Sequence, residues 1–243
     1  MSPSTGEILF SRYACSPNEL GYCGPEVANA FEHIASGKES SIHFRKAASE
    51  FSGVWVYLEI LGELLGRDPL DPELVRGYWI GNDLVDSVDI DTFWDKLIAV
   101  ISARAGSYWK YLDDSLRAEA QPSHAFHVLG IYPWSRLLST GRPEPVEVLT
   151  SCCIRPAVVT AVVDGVVEID ELTFEYIEGQ LVPRTQKASS LPVKFNLSPA
   201  VGECVAVHWG QICDLLTPEE YVRLSSSLTT QLERVSHRLK QSP

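Results

Sequence analysis

The sequence is short of basic side chains and of the patterns that announce common sites. Its 243 residues hold 20 Lys and Arg against 32 Asp and Glu, a net charge of −12. That sign opposes binding to a phosphate backbone, where Lys and Arg displace counterions, so nucleic acid and anionic membrane are poor partners. No apolar run approaches the ~20 residues that span a bilayer, and MSPSTGEILF lacks the basic start and apolar stretch of a secretion signal. The expected compartment is the cytoplasm. None of the six cysteines (Cys15, Cys23, Cys152, Cys153, Cys204, Cys213) forms a CxxC pair, so no structural zinc site is signalled. In a reducing compartment they are buried hydrophobes, ligands or reactive thiols. The repeated Glu-x-x-His of a bundle carboxylate site is missing, and there is no internal repeat.

What is present has two grammars. From Pro25 to about Thr140 the chain reads helical. Phe44, Ala47, Ala48, Phe51, Trp55, Leu58, Leu61, Leu64 and Leu65 recur at three- and four-residue spacings and predict one long buried helix over 42–65, stopped at Gly66. Asp71-Pro72-Glu73 reads as a helix start for 74–84. Asp91 reads as the cap of a helix running on toward Leu116, and 124–138 as a helix or helix and turn bent at Pro133.

After Gly141-Arg-Pro-Glu-Pro the period becomes two. Val158 to Val163, the turn Asp164-Gly165 and Val166 to Asp170 read as a β-hairpin. Phe174 to Val182 extends it around Glu178-Gly179, while 193–196 and 204–209 supply further strands. Thr217-Pro218-Glu219-Glu220 opens a last helix to about Lys240. The expected class is α+β: a helical domain over 1–145, then over 146–243 a small OB-like five-stranded β-barrel with a C-terminal helix. Residues 1–148 carry 12 basic and 21 acidic side chains, so most of the negative charge lies in the helical half, as a solvated exterior or a partner-facing surface.

The barrel half resembles the HypC/HupF hydrogenase maturation chaperones, small barrel proteins that help deliver the iron fragment of nickel-iron hydrogenases. The likeness starts at Cys152-Cys-Ile-Arg-Pro156-Ala-Val-Val. It ends at Val201-Gly202-Glu-Cys-Val-Ala-Val-His208-Trp-Gly210, followed by the acidic helix start Pro218-Glu-Glu. The resemblance implies that Cys152 and His208 are metal ligands holding an iron fragment. Thiolate suits low-valent iron, imidazole serves as a second donor, and Arg155 is placed to favour the thiolate. This chain departs from that pattern in three ways: some 150 residues precede Cys152, Cys153 adjoins it, and Ala157 stands where the family has glycine. Phe10 to Pro25, the block His124-Ala-Phe-His127 to Trp134 and the Cys152 block together resemble uncharacterised bacterial proteins from hydrogenase gene neighbourhoods.

The helical half carries its own candidates. Asn18-Glu19-Leu-Gly21-Tyr22-Cys23-Gly24-Pro25 reads as a tight loop presenting polar groups at a helix mouth, or as a loop whose glycines merely serve its turn. On the first reading, helix N–H groups near Pro25 lower the Cys23 thiol pKa. His124 and His127 share one helix face at i, i+3 spacing. They read as a metal pair completed by Glu19, Glu59, Glu63 or Asp83, as an acid or base, or as ordinary core and surface histidines. Tyr78, Trp79, Trp94, Tyr108, Trp109, Tyr111, Tyr132 and Trp134 supply a core and a possible pocket lining.

Three functions follow. The leading one is a HypC-like accessory protein that binds a metallocentre fragment or a partner protein. The alternative is a small-molecule biosynthetic enzyme for elimination, substitution or cyclisation, with Glu19, Tyr22, Cys23, His124 and His127 as catalytic groups in a pocket between the halves. The third is a non-catalytic interaction subunit.

Overall fold

The helix starts are written in capping chemistry. Ser4 and Glu7 exchange hydrogen bonds in a capping box that opens α1 (Thr5–Glu19). Asp71 accepts from the backbone N–H groups of Glu73 and Leu74 at the head of α5 (Pro72–Ile80), as its sequence predicts. Between them lie α2 (Ala28–Ala35), α3 (Phe44–Ser49) and α4 (Ser52–Leu65), the last closed by Gly66 at φ 65°. A computed structural model describes residues 2–104, 112 and 114–241. Tyr108, Trp109 and Tyr111 lie outside the described residues.

Two helical expectations are corrected. The stretch 42–65 is not one helix: the chain breaks at Glu50 and Phe51 and restarts on Ser52-Gly53, a poor helix-forming pair. The break lets Phe51 turn inward, edge-on to Phe10 at 5.5 Å between ring centroids. The segment after α5 is likewise split, giving the short α6 (Asp83–Asp86) and then α7 (Ile90–Arg104). Asp89 rather than Asp91 caps α7, accepting from the Thr92 N–H at 2.8 Å.

The chain then tightens. A single turn, α8 (His124–Phe126), runs into a π-helical turn (His127–Ile131) and a 3₁₀ segment (Pro133–Thr140). Sequence reading missed the next helix, α9 (Glu144–Cys152). Its start is the Pro- and Glu-rich run that reads as a break, but proline and acidic residues in the first turn also favour a helix. Cys152 therefore ends a helix instead of opening a strand.

Five antiparallel strands follow: β1 (Arg155–Val163), β2 (Val166–Ile177), β3 (Gln180–Pro192), β4 (Cys204–His208) and β5 (Gln211–Leu216). Their order is β3-β2-β1-β4-β5. The hairpin at Asp164-Gly165 is as expected. The strand expected at 193–196 is instead a turn with Phe195 and Asn196 at positive φ, and β5 was not foreseen. The expected barrel is corrected as well. The sheet is not closed: β3 and β5 are its edges and do not pair. Thr217 and Glu220 exchange hydrogen bonds to start α10 (Pro218–Gln241), which packs along β3 and β1.

Period-two alternation then decides what β4 faces. Val205 and Val207 join Ala157, Val159, Val167, Ile169 and Ile212 in a small core of the sheet. Ala206 turns the other way, into a large cluster with Phe10, Tyr13, Trp79, Cys213 and Leu216. His208 shares the Ala206 face, so the register aims it at the helical half. Partly buried ion pairs tie the same seam. Asp214 of β5 meets Arg12 of α1 at 3.3 Å and Arg76 of α5, and Arg76 also grips Glu220 at 2.6 Å. Among the described residues, no helix is long and apolar enough to cross a membrane.

Candidate functional site

At the other end of this seam lies a cavity of about 560 Å³. Its lining includes Tyr22, Cys23, Trp79, His124, His127, Tyr132, Cys152, His208 and Trp209, with aliphatic and aromatic carbon for most of the rest. Among the described residues, no Asp, Glu, Lys or Arg lines it. Burial in such a wall disfavours charge, and the titratable groups respond accordingly. The pKa of His208 is lowered to about 4 by burial, with the Tyr13 carbonyl and, more weakly, the Cys152 carbonyl partly offsetting and Arg155 lowering it further. His127 also falls to about 4 through burial. His124 is driven well down by burial and by the two neighbouring imidazoles. All three are neutral imidazoles near pH 7.

His124, Cys152 and His208 converge. One ligand atom from each, an imidazole nitrogen or the Cys152 Sγ, lies within 4.8 Å of the others. The three come from α8, the end of α9 and the end of β4, so no short motif could contain them. His208 Nδ1 donates to the Tyr13 carbonyl at 2.7 Å, which leaves Nε2 with a lone pair, buried and without a hydrogen-bond partner. His124 bridges the halves: Nε2 lies 2.9 Å from the Cys152 carbonyl, so it carries the proton, and Nδ1 accepts from the Tyr78 hydroxyl at 3.1 Å. The His124 and His208 rings stand edge to face at 5.3 Å.

Trp209 closes one side. It occupies a left-handed backbone position (φ 49°) before Gly210 (φ 68°), the arrangement of a two-residue hairpin turn between β4 and β5. That conformation is costly for a bulky residue. It is held by the Trp209 N–H donating to the Ser151 carbonyl at 3.0 Å and by the Ser16 hydroxyl donating to the Trp209 carbonyl at 2.9 Å. The indole is thereby fixed beside Cys152, and Tyr22 stacks on it at 4.0 Å.

His127 also lines the cavity, its ring 6.1 Å from that of His124 and edge-on to Tyr57, with Nδ1 unpartnered. Gly53 makes room for it: a Cβ there would lie 2.5 Å from His127 Nε2.

Some sequence expectations do not fit this geometry. Glu19 is exposed and pairs with Lys194 at 3.2 Å, away from the cavity lining. Glu63 pairs with Lys96 and Asp83 with Arg223, so neither completes a histidine site, and Glu59 is exposed outside the lining. Burial pushes the Cys23 thiol up to about 12 instead of lowering it, since α2 begins only at Ala28. Cys152 is also raised to about 12, by burial first and then by Cys23, with Trp209 partly offsetting. Arg155 does not relieve it: that guanidinium is buried against Glu171 at 2.7 Å and donates to the Thr150 carbonyl. The thiol is protonated at rest.

Sequence reading missed Tyr13 and Trp209, and offered Tyr78 only as an aromatic for core or pocket lining. The Trp-Gly pair after His208 was the one available signal, since a glycine between two apolar runs marks a turn. A comparison with curated proteins and one with solved structures find no match. A family model described as "Family of unknown function (DUF6390)" matches residues 2–242, helical half, sheet and last helix alike, and the chain belongs to that family.

Proposed function

We propose that this protein is a HypC-like accessory factor that holds a metallocentre fragment in nickel-iron hydrogenase assembly, with Cys152 and His208 as the protein's ligands and iron in the fragment as cargo. The observation that carries the reading is the meeting of those two side chains, 56 positions apart in sequence, at the wall of a cavity that none of the described charged residues lines. Binding deprotonates Cys152. The ion itself supplies the charge that makes a thiolate stable where burial otherwise forbids it. The cavity leaves room for ligands that travel with the metal, and the acidic helical half offers a surface for a partner protein.

Purification under anaerobic conditions tests this directly. Iron is expected to co-purify with the wild-type chain and to be lost in Cys152→Ala. Iron-free protein that still supports hydrogenase activity in its host contradicts the reading.

A second reading is favoured by the unpartnered His127 Nδ1 facing a cavity of small-molecule size. Here the chain is a biosynthetic enzyme with His127 as acid or base and Tyr22 and Cys23 as wall groups. Turnover that survives Cys152→Ala but not His127→Ala supports it, and the reverse pattern excludes it.

A further inference from the structure

We propose that His124 is a third protein ligand, so that His124, Cys152 and His208 together form an N₂S site for a borderline divalent ion such as Fe²⁺ or Zn²⁺, with its remaining coordination open to the cavity. This deepens the reading above and rests on it for the identity of the cargo, though not for the existence of the site.

The His208 ring is already set as a ligand. Its Nε2 lone pair is buried without a hydrogen-bond partner, and its Nδ1–H is fixed on a backbone carbonyl, a bond of the kind that orients metal-bound imidazoles. The three donors need little movement. A first-row ion bound at ~2.0–2.3 Å by nitrogen and sulfur keeps tetrahedral ligands about 3.5 Å apart, so separations within 4.8 Å close by roughly 1 Å. Two imidazoles and one thiolate suit iron and zinc and suit magnesium or calcium poorly. Among the described residues this is the group of His, Cys, Asp and Glu whose ligand atoms converge in this way.

His124 is engaged at both nitrogens, and this defines the change on binding. Its Nε2–H leaves the Cys152 carbonyl, the ring proton passes to Nδ1, and Nδ1–H then donates to the Tyr78 oxygen. Nε2 gains the lone pair that meets the metal. The imidazole neither gains nor loses a proton overall, and Cys152 releases one to solvent as its sulfur binds. Tyr78, buried and able to donate or accept, is the positioning residue that permits the exchange. The site is thus assembled from both halves of the chain, and removing the helical contribution leaves two ligands.

Anaerobic titration of the metal-free full-length protein with Co²⁺ tests this, because thiolate ligation gives a charge-transfer band and ligand-field intensity reports coordination geometry. Wild type is expected to bind one Co²⁺ with both signals, and Cys152→Ser to lose the charge-transfer band. His124→Gln should keep that band, change the ligand-field spectrum and raise Kd at least tenfold. Tyr78→Phe keeps the ring but removes its partner, and should raise Kd by ~10-fold. Thermal melts establish that each variant is folded, and if His124→Gln is not, Tyr78→Phe decides.

An unchanged Kd and spectrum in the deciding variant, or no charge-transfer band in wild type, overturns the proposal. The two readings fail separately. A Co²⁺ site that behaves as expected in a protein purified without iron defeats the carrier role and leaves the site standing. Iron that depends on Cys152 and His208 but not on His124 does the opposite.

Discussion

The seam between helices and sheet has two ends built from the same elements. At one end Arg76 of α5 and Arg12 of α1 meet Asp214 of β5, and Glu220 takes the remaining face of Arg76. At the other, Trp79 of α5 and the Tyr13 carbonyl of α1 meet His208 of β4, and Tyr78 of α5 meets His124. There His208 Nε2, Trp79 Nε1 and His127 Nδ1, all from residues that line the cavity, are buried without hydrogen-bond partners. A buried polar atom left unpaired costs about 1–3 kcal/mol. The first end pairs its charged groups across the interface, although the buried Tyr13 hydroxyl beside them has no partner. The second leaves polar groups open around a cavity, as a site reserved for something else does.

The largest effect that sharpens this contrast comes from the paired end. Asp214→Ala strands two arginines at a half-buried seam and is expected to lower unfolding free energy by roughly 3 kcal/mol in urea titrations, while Co²⁺ affinity stays within about twofold. Cys152→Ser gives the reverse pattern, changing the unfolding free energy by less than about 1 kcal/mol because it is nearly isosteric, and removing thiolate-bound metal. If both variants lose stability and metal together, the two ends are not separate in function.

Gly53→Ala is next. The added methyl meets His127 Nε2, so the imidazole must move, and overpacking of this kind costs ~1–3 kcal/mol. The expected readout is a shifted His127 imidazole resonance in NMR spectra with the Co²⁺ charge-transfer band retained, because His127 is not a ligand. The smallest effect is expected from Tyr22→Ala, which removes an exposed stacking partner of Trp209 worth about 1 kcal/mol. Stability hardly changes, but the Trp209 side of the cavity opens, and metal release to a chelator should quicken severalfold.

Much of the frame was legible because it is local. Asp71-Pro72, Gly66, Asp164-Gly165 and Thr217-Pro218 each carry their own capping or turn chemistry within a few residues. What failed was decided at a distance or by ambiguous signals. The helix at 42–65 breaks because Phe51 is worth more against Phe10 than in a continuous turn, and α9 hides in a proline-rich run. Barrel closure depends on whether β3 and β5 meet, which no local pattern records. The site divides the same way. Cys152 and His208 were named through resemblance, and His124 through its spacing from His127. The spacing pairs His124 with His127, whose ring lies 6.1 Å away, whereas the ligand atoms that converge with that of His124 belong to Cys152 and His208, brought there by α9 and β4. Glu19 was chosen for its neighbours in sequence, and the end of α1 carries it to the surface.

The central claim is that three side chains from both halves hold one metal. X-ray absorption at the iron edge of anaerobically Fe²⁺-loaded protein tests it most directly. One sulfur and two imidazole nitrogens among the nearest iron neighbours, with one imidazole lost in His124→Gln, is the predicted result; a shell of oxygen and nitrogen without sulfur, or one unchanged by His124→Gln, contradicts it.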